Sequence, residues 1–194
     1  MKSALVVVDV QNDFCDGGAL PVKGGQKTVP VLNKYIELFK AAGLPVYFTR
    51  DWHPQRTVHF KEYGGVWPQH CVQGTRGAEF HTELKVAPDA KVITKGDDPD
   101  KDSYSGFDGK DPQGRKFAQA LKEEGVDHIY VGGLAADYCV KATALDGLKG
   151  RFRVTVLLDA VKGVDVKEGD SERAIDEMIE KGAGTTTIDE VELV

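Results

Sequence analysis

The run Ala4-Leu5-Val6-Val7-Val8-Asp9 decides how the chain is read. Its five apolar residues show no polar alternation and are too few to cross a membrane, which marks a strand buried on both faces. Asp9 ends the run and no small-residue cleavage site follows, so the segment is read as neither signal peptide nor membrane anchor. Strands of this kind belong to parallel sheets with helices packed on either side.

Working outward, short β-branched runs recur at residues 45–49, 91–95, 128–132, 153–158 and 185–188. Between them the apolar residues fall at helical spacing. Residues 29–42 carry Val31, Leu32, Ile36 and Phe39 before Gly43, and residues 113–124 carry Phe117 and Leu121 before Gly125. Residues 135–149 and 171–181 behave alike, the second opening on Asp170 or Ser171 and closing at Gly182. Strand and helix alternate throughout, so the sequence predicts an α/β three-layer sandwich, a six-stranded parallel sheet flanked by about four helices. One domain over residues 1–194 is expected, a length that buries about 70% of the surface of the unfolded chain.

Composition narrows the partners. A net charge of −6 without a Lys/Arg block argues against nucleic acid or an anionic membrane surface, both of which are bound through clustered cations, and favours a small molecule. Cys15, Cys71 and Cys139 are an odd number without regular spacing. Reduced thiols in the cytoplasm fit them better than a secreted disulfide framework.

Two long segments, residues 50–90 and 96–111, interrupt the alternation, and segments of that length inside a domain are usually functional. Both start at the carboxyl end of a predicted strand, as do residues 11–25 and the turn at Gly133, and that edge is where open α/β sheets bind ligands. Val131-Gly-Gly-Leu-Ala-Ala-Asp-Tyr-Cys139 runs from strand through glycines into a helix and puts Cys139 in its first turn. The helix dipole there is expected to lower the thiol pKa from about 8.5 to between roughly 3.5 and 7.5. Asp9 and Lys95 each close an apolar strand, and with Cys139 they make a nucleophile, base and cation set for acyl transfer. A second group, Asp51, His53 and His70, contains the ligand types for Zn²⁺ or Fe²⁺, and an extended Asp-x-His lets both side chains point one way. Cys71, adjacent to His70 on an extended chain, would face the other way and is read as structural. His81 and His128 have no motif around them and receive no function.

Val8-Asp9-Val10-Gln11-Asn12-Asp13-Phe14, Arg50-Asp51-Trp52-His53-Pro54, Trp67-Pro68-Gln69-His70-Cys71, Lys95-Gly96, Tyr104-Ser105-Gly106-Phe107 and Gly133-Leu134-Ala135-Ala136-Asp137-Tyr138-Cys139-Val140 resemble, in order, the motifs of the nicotinamidase family of isochorismatase-like hydrolases. The resemblance implies the isochorismatase-like fold and an Asp9-Lys95-Cys139 triad. It also implies hydrolysis of nicotinamide to nicotinate and ammonia through a cysteine thioester, serving NAD salvage, with pyrazinamide as a further substrate. One divalent transition metal, Zn²⁺ or else Fe²⁺ or Mn²⁺, would sit at the pyridine ring on Asp51, His53 and His70. His59 is favoured over Glu62 as a further ligand, unless water or substrate completes the shell. Phe14, Trp67 and Tyr104 would stack on the ring, and the backbone N–H groups of Ala135 and Cys139 would receive the oxyanion, with a cis peptide at Leu134–Ala135. The rival reading is another cysteine amidase of the superfamily, acting on an N-carbamoyl or ureido group, for which the metal set would have no purpose. A non-catalytic binding protein on the same scaffold is the more distant alternative. The oligomeric state is left open.

Overall fold

In the computed structural model, which describes residues 2–193, strand β1 (Ser3–Val8) lies between β2 (Val46–Asp51) and β4 (His128–Leu134), parallel to both. β3 (Lys91–Lys95) extends the sheet beyond β2, and β5 (Arg153–Lys162) and β6 (Gly184–Thr186) extend it beyond β4, giving the order β3-β2-β1-β4-β5-β6. Successive side chains of β1 serve opposite faces. Leu5 and Val7 pack with Leu32, Tyr35, Ile36 and Phe39 of α1 (Thr28–Ala41). Ala4, Val6 and Val8 pack with Phe117 and Leu121 of α2 (Phe117–Glu123), Ala144 of α3 (Lys141–Lys149) and Met178 of α4 (Asp170–Glu180). This double burial is why the strand reads as an unbroken apolar run. The predicted three layers and six parallel strands are therefore observed.

The differences lie at element ends. β1 stops one residue short because Asp9 turns into the left-handed region, at φ 49°, a conformation aspartate tolerates better than most residues. β2, β4 and β5 run further than predicted, and β2 reaches Asp51, which stands in register with Lys95. α2 begins only at Phe117, because the Asp111 carboxylate accepts the backbone N–H groups of Gln113 and Arg115 and holds them in a turn. Residues 135–149 split into a π-helical turn, Ala136–Val140, followed by α3; the Val140 N–H reaches back five residues to the Ala135 carbonyl. β6 is shorter than predicted and ends before Ile188, whose N–H is taken by the Asp159 carboxylate.

From β1 the chain moves outward through β2 and β3 on one side, and from β4 through β5 and β6 on the other. The crevice between the carboxyl ends of β1 and β4 is thus the topological switch point, where ligands bind in open α/β sheets. Among the described residues no helix is long and apolar enough to cross a membrane.

Candidate active site

At the switch point β4 approaches β1 closely because Gly133, in register with Val8, has φ 121° and no side chain; a Cβ there would lie 2.7 Å from the Val8 nitrogen. The Leu134–Ala135 peptide that follows is cis, as the resemblance implies. The π turn then brings Cys139 back over the sheet edge, to 3.6 Å between its Sγ and Lys95 Nζ.

Lys95, on β3, reaches past β2 to get there, and its ammonium joins three groups in a fully buried space. It ion-pairs with Asp9 Oδ2 at 2.8 Å and makes a short contact with Asp51 Oδ1. Asp9, Asp51 and Cys139 offer side-chain atoms all within 4.8 Å of one another. Asp9 Oδ1 also accepts the Thr49 hydroxyl at 2.6 Å. Burial alone would strip the proton from Lys95, but Asp51 and Asp9 outweigh it and hold the ammonium charged. For Asp51, burial is likewise overcome, by Lys95 and then by His53 and His70, and the carboxylate stays ionised. Asp9 goes the other way: burial, only partly offset by Lys95, raises it and makes it a better proton acceptor than an ordinary carboxylate.

Cys139 does not behave as its position in sequence suggests. Burial pushes the thiol up, and the neighbouring Lys95 does not reverse this. The turn that holds it is π rather than α, and it buries the sulfur instead of exposing it at an open helix end. Burial therefore favours the neutral thiol at Cys139.

Asp51 joins this cluster to a second one. Its Oδ2 lies 3.6 Å from His53 Nε2 and 3.9 Å from His70 Nε2, and His53, His59 and His70 offer ring nitrogens within 4.8 Å of one another. Four donors bound tetrahedrally to one zinc at about 2.1 Å lie about 3.4 Å apart, so the Asp51 spacings are close to that value and the histidine nitrogens would draw inward on an ion. His53 Nδ1 bonds the Gly96 carbonyl at 2.9 Å and His70 Nδ1 the Pro68 carbonyl at 2.8 Å. A ring whose Nδ1–H is donated turns an Nε2 lone pair inward. His53 Nε2 is buried without a hydrogen-bond partner, an arrangement that is costly unless a cation receives it. The residues fit a divalent metal. Glu62 is not among them: it is exposed and accepts from the Gln69 amide at 2.9 Å. Cys71 is also apart from the cluster, though at φ 45° it is left-handed and not extended, with its N–H donated to Asp13.

Burial, opposed by Asp51, holds His70 at about 4, well below its ordinary 6.5. An unfolded chain takes up this proton at about pH 6.5 while the folded chain refuses it until about pH 4, so stability falls as pH drops between those values and levels off below. The loss attributable to His70 is about 3 kcal/mol, at roughly 1.4 kcal/mol for each tenfold difference in proton affinity. Urea midpoints of metal-free protein between pH 7.5 and 4 should show this slope, and His70→Gln should flatten it.

Phe14, Trp67 and Tyr104 line one cleft with Cys139, Ala135, Asp51, His59 and His70, about 380 Å³ including its open mouth. The Trp67 indole donates to the Tyr104 hydroxyl at 3.0 Å. The sequence reading did not include Tyr138, Leu20 and Val164, which complete the wall. Tyr138 sits beside the cysteine, and its ring meets Trp67 edge-on at 4.9 Å and stacks with Tyr104 at 6.1 Å. Its adjacency to Cys139 was the available signal. Leu20 and Val164 carry none. Gln11 acts from behind the site: its buried amide donates to the Asp51 carbonyl and accepts the Asp51 N–H, both at 2.8 Å, and so clamps the backbone of the residue shared by the two clusters.

The chain belongs to the isochorismatase family, whose domain matches residues 3–190. Within it, the sequence is 39% identical to the nicotinamidase of Escherichia coli (strain K12), over 95% of this chain and 94% of that one. It is 40% identical to the nicotinamidase/pyrazinamidase of Mycobacterium tuberculosis (strain ATCC 25618 / H37Rv), over 83% and 87% of the two chains. Among solved structures, the pyrazinamidase of Pyrococcus horikoshii in complex with zinc superposes with a TM-score of 0.89 at 47% identity, covering 97% of this chain and all of that one.

Proposed function

We propose that the protein is a nicotinamidase, converting nicotinamide to nicotinate and ammonia, with Cys139 as nucleophile and a zinc ion on Asp51, His53, His59 and His70. The observation that carries the reading is the convergence of these four side chains, three of which, Asp51, His59 and His70, line the same cleft as Cys139. The triad alone would suit any cysteine amidase of the family, whereas the metal set faces a flat aromatic cleft suited to a pyridine ring. The ion would offer the ring nitrogen a Lewis-acid anchor.

The chain's own groups supply the chemistry. Phe14, Trp67, Tyr104 and Tyr138 hold the ring and exclude water, directing the carboxamide carbon at Cys139 Sγ. Asp9 takes the thiol proton as the S–C bond forms, and the backbone N–H groups of Ala135 and Cys139 receive the carbonyl oxygen as it becomes an oxyanion. Asp9 returns the proton to the amide nitrogen as the C–N bond breaks, releasing ammonia and leaving a thioester. A water that gives up a proton to Asp9 then attacks the thioester carbon; nicotinate leaves and the thiol is re-formed. Lys95 keeps Asp9 and Asp51 compatible with each other throughout. Pyrazinamide, which keeps a ring nitrogen in the same relation to the carboxamide, is a further expected substrate. Three buried free thiols fit a reducing cytoplasmic setting, and the conversion of nicotinamide to nicotinate fits a place in NAD salvage.

The test is metal dependence. Stoichiometric zinc, loss of ammonia release on chelation and its return on adding zinc are expected. His59→Ala should weaken zinc binding and Glu62→Ala should leave it unchanged. Full nicotinamide turnover by chelated, metal-free protein would overturn the metal's part in this reading.

A further inference from the structure

The three histidines of the cluster are not held alike. His53 and His70 give their Nδ1 to backbone carbonyls, but His59 gives its Nδ1 to a carboxylate, that of Asp102, in a short contact. Asp102 belongs to the segment that follows β3 directly after Lys95 and Gly96. It is fixed from its own side, because Oδ1 also accepts the Ser103 N–H at 3.0 Å. His59 is almost fully buried while the Asp102 side chain is 47% exposed, so the carboxylate supports the ligand from the solvent side of the cleft wall. Two residues on, Tyr104 puts its ring 5.6 Å from His59 and its hydroxyl under the Trp67 indole N–H.

From this geometry, and resting on the metal reading above, we propose that Asp102 is a positioning residue for the metal. It fixes His59 as the tautomer with its proton on Nδ1, aims Nε2 into the cluster and raises its basicity as a donor. Backbone carbonyls do the first two of these for His53 and His70 but supply no negative charge. A carboxylate behind a ligating histidine is typically worth about 10- to 100-fold in metal affinity. Tyr104 lies two residues further along the same segment, so the segment that supports the ligand also contributes to the aromatic wall. Glu62 is exposed, accepts from the Gln69 amide and is turned away from the cluster.

The experiment is zinc affinity, measured on the full chain by competition with a chromophoric chelator, alongside the melting temperature of the metal-free protein. Asp102→Ala should weaken zinc binding about 10- to 100-fold. Asp102→Asn, which can still accept from Nδ1 without the charge, should lose less. Neither should shift the metal-free melting temperature by more than a few degrees, since the side chain is half exposed; a purely structural residue would give the opposite pattern, a lower melting temperature at unchanged affinity. His53→Ala, which removes a donor outright, is the reference for loss. If Asp102→Ala binds zinc as tightly as the wild type while His53→Ala does not, the role of Asp102 is overturned and the metal reading stands. A wild-type chain that takes up no zinc overturns both.

Discussion

Replacing Cys139 by alanine is expected to abolish release of ammonia from nicotinamide, by at least about 10⁴-fold, because no other group within reach of the cleft can form the covalent intermediate. The reach is limited by geometry: Cys15 and Cys71 are buried away from the cleft wall, and burial pushes both thiols up, Cys15 to about 11. The substitution removes one atom from a packed position, so the fold should survive at a cost of about 1 kcal/mol. Ring binding should survive too, since Trp67, Tyr104 and Tyr138 are untouched. The expected combination is therefore near-normal affinity for nicotinate by calorimetry, a melting temperature within a few degrees of wild type, and no turnover. Mass spectrometry of quenched wild-type reactions should show an acylated chain, and the variant should show none.

Lys95→Met should produce the largest loss of stability of any single change at the site. The ammonium is fully buried and pairs two buried carboxylates, Asp9 and Asp51, which without it face each other uncompensated. Removing one partner from a buried ion cluster costs about 3–5 kcal/mol, far more than an exposed pair, because an unpaired charge is left in a poorly polarisable space. Activity should disappear with it, since Asp9 would then bind a proton tightly and cease to act as a base. A second substitution separates the two effects. Lys95→Met with Asp9→Asn removes one of the stranded charges, and should recover part of the lost stability in urea titrations of metal-free protein while remaining inactive. Stability of Lys95→Met within about 1 kcal/mol of wild type would contradict the charge arrangement described here.

The sheet was readable from its centre, because β1 and β4 are buried at every position and β1 carries an unbroken apolar run, while the edge strands β3 and β6 are partly exposed. The strand ends were readable to within a few residues. What displaced them was local hydrogen bonding by single side chains: Asp111 delaying α2, Asp9 turning out of β1. The candidate site was readable in its membership where residues sit on strand ends or in dense motifs, as Asp9, Asp51, His53 and Lys95 do. Its chemistry was less so. A cysteine at the start of a helix suggests a lowered pKa, but the sign is set by burial, and burial of Cys139 depends on a π turn that spacing does not reveal. The choice between His59 and Glu62 depends on the path of the loop, which turns sharply at Lys61–Tyr63 and throws Glu62 outward. Asp102 and Leu20 lie in segments already expected to reach the site, but neither carries a motif that singles it out, and Val164 comes from beyond β5 where nothing in the sequence points to the cleft.

The most direct measurement is the fate of nicotinamide with purified, zinc-loaded protein, with products identified by chromatography and ammonia assayed in parallel. Nicotinate and ammonia should appear in equal amounts, with a kcat/KM at least about tenfold above that for N-carbamoyl and ureido compounds, a difference of roughly 1.4 kcal/mol in transition-state binding. Absence of nicotinate from zinc-loaded protein that hydrolyses an N-carbamoyl or ureido substrate would contradict the account.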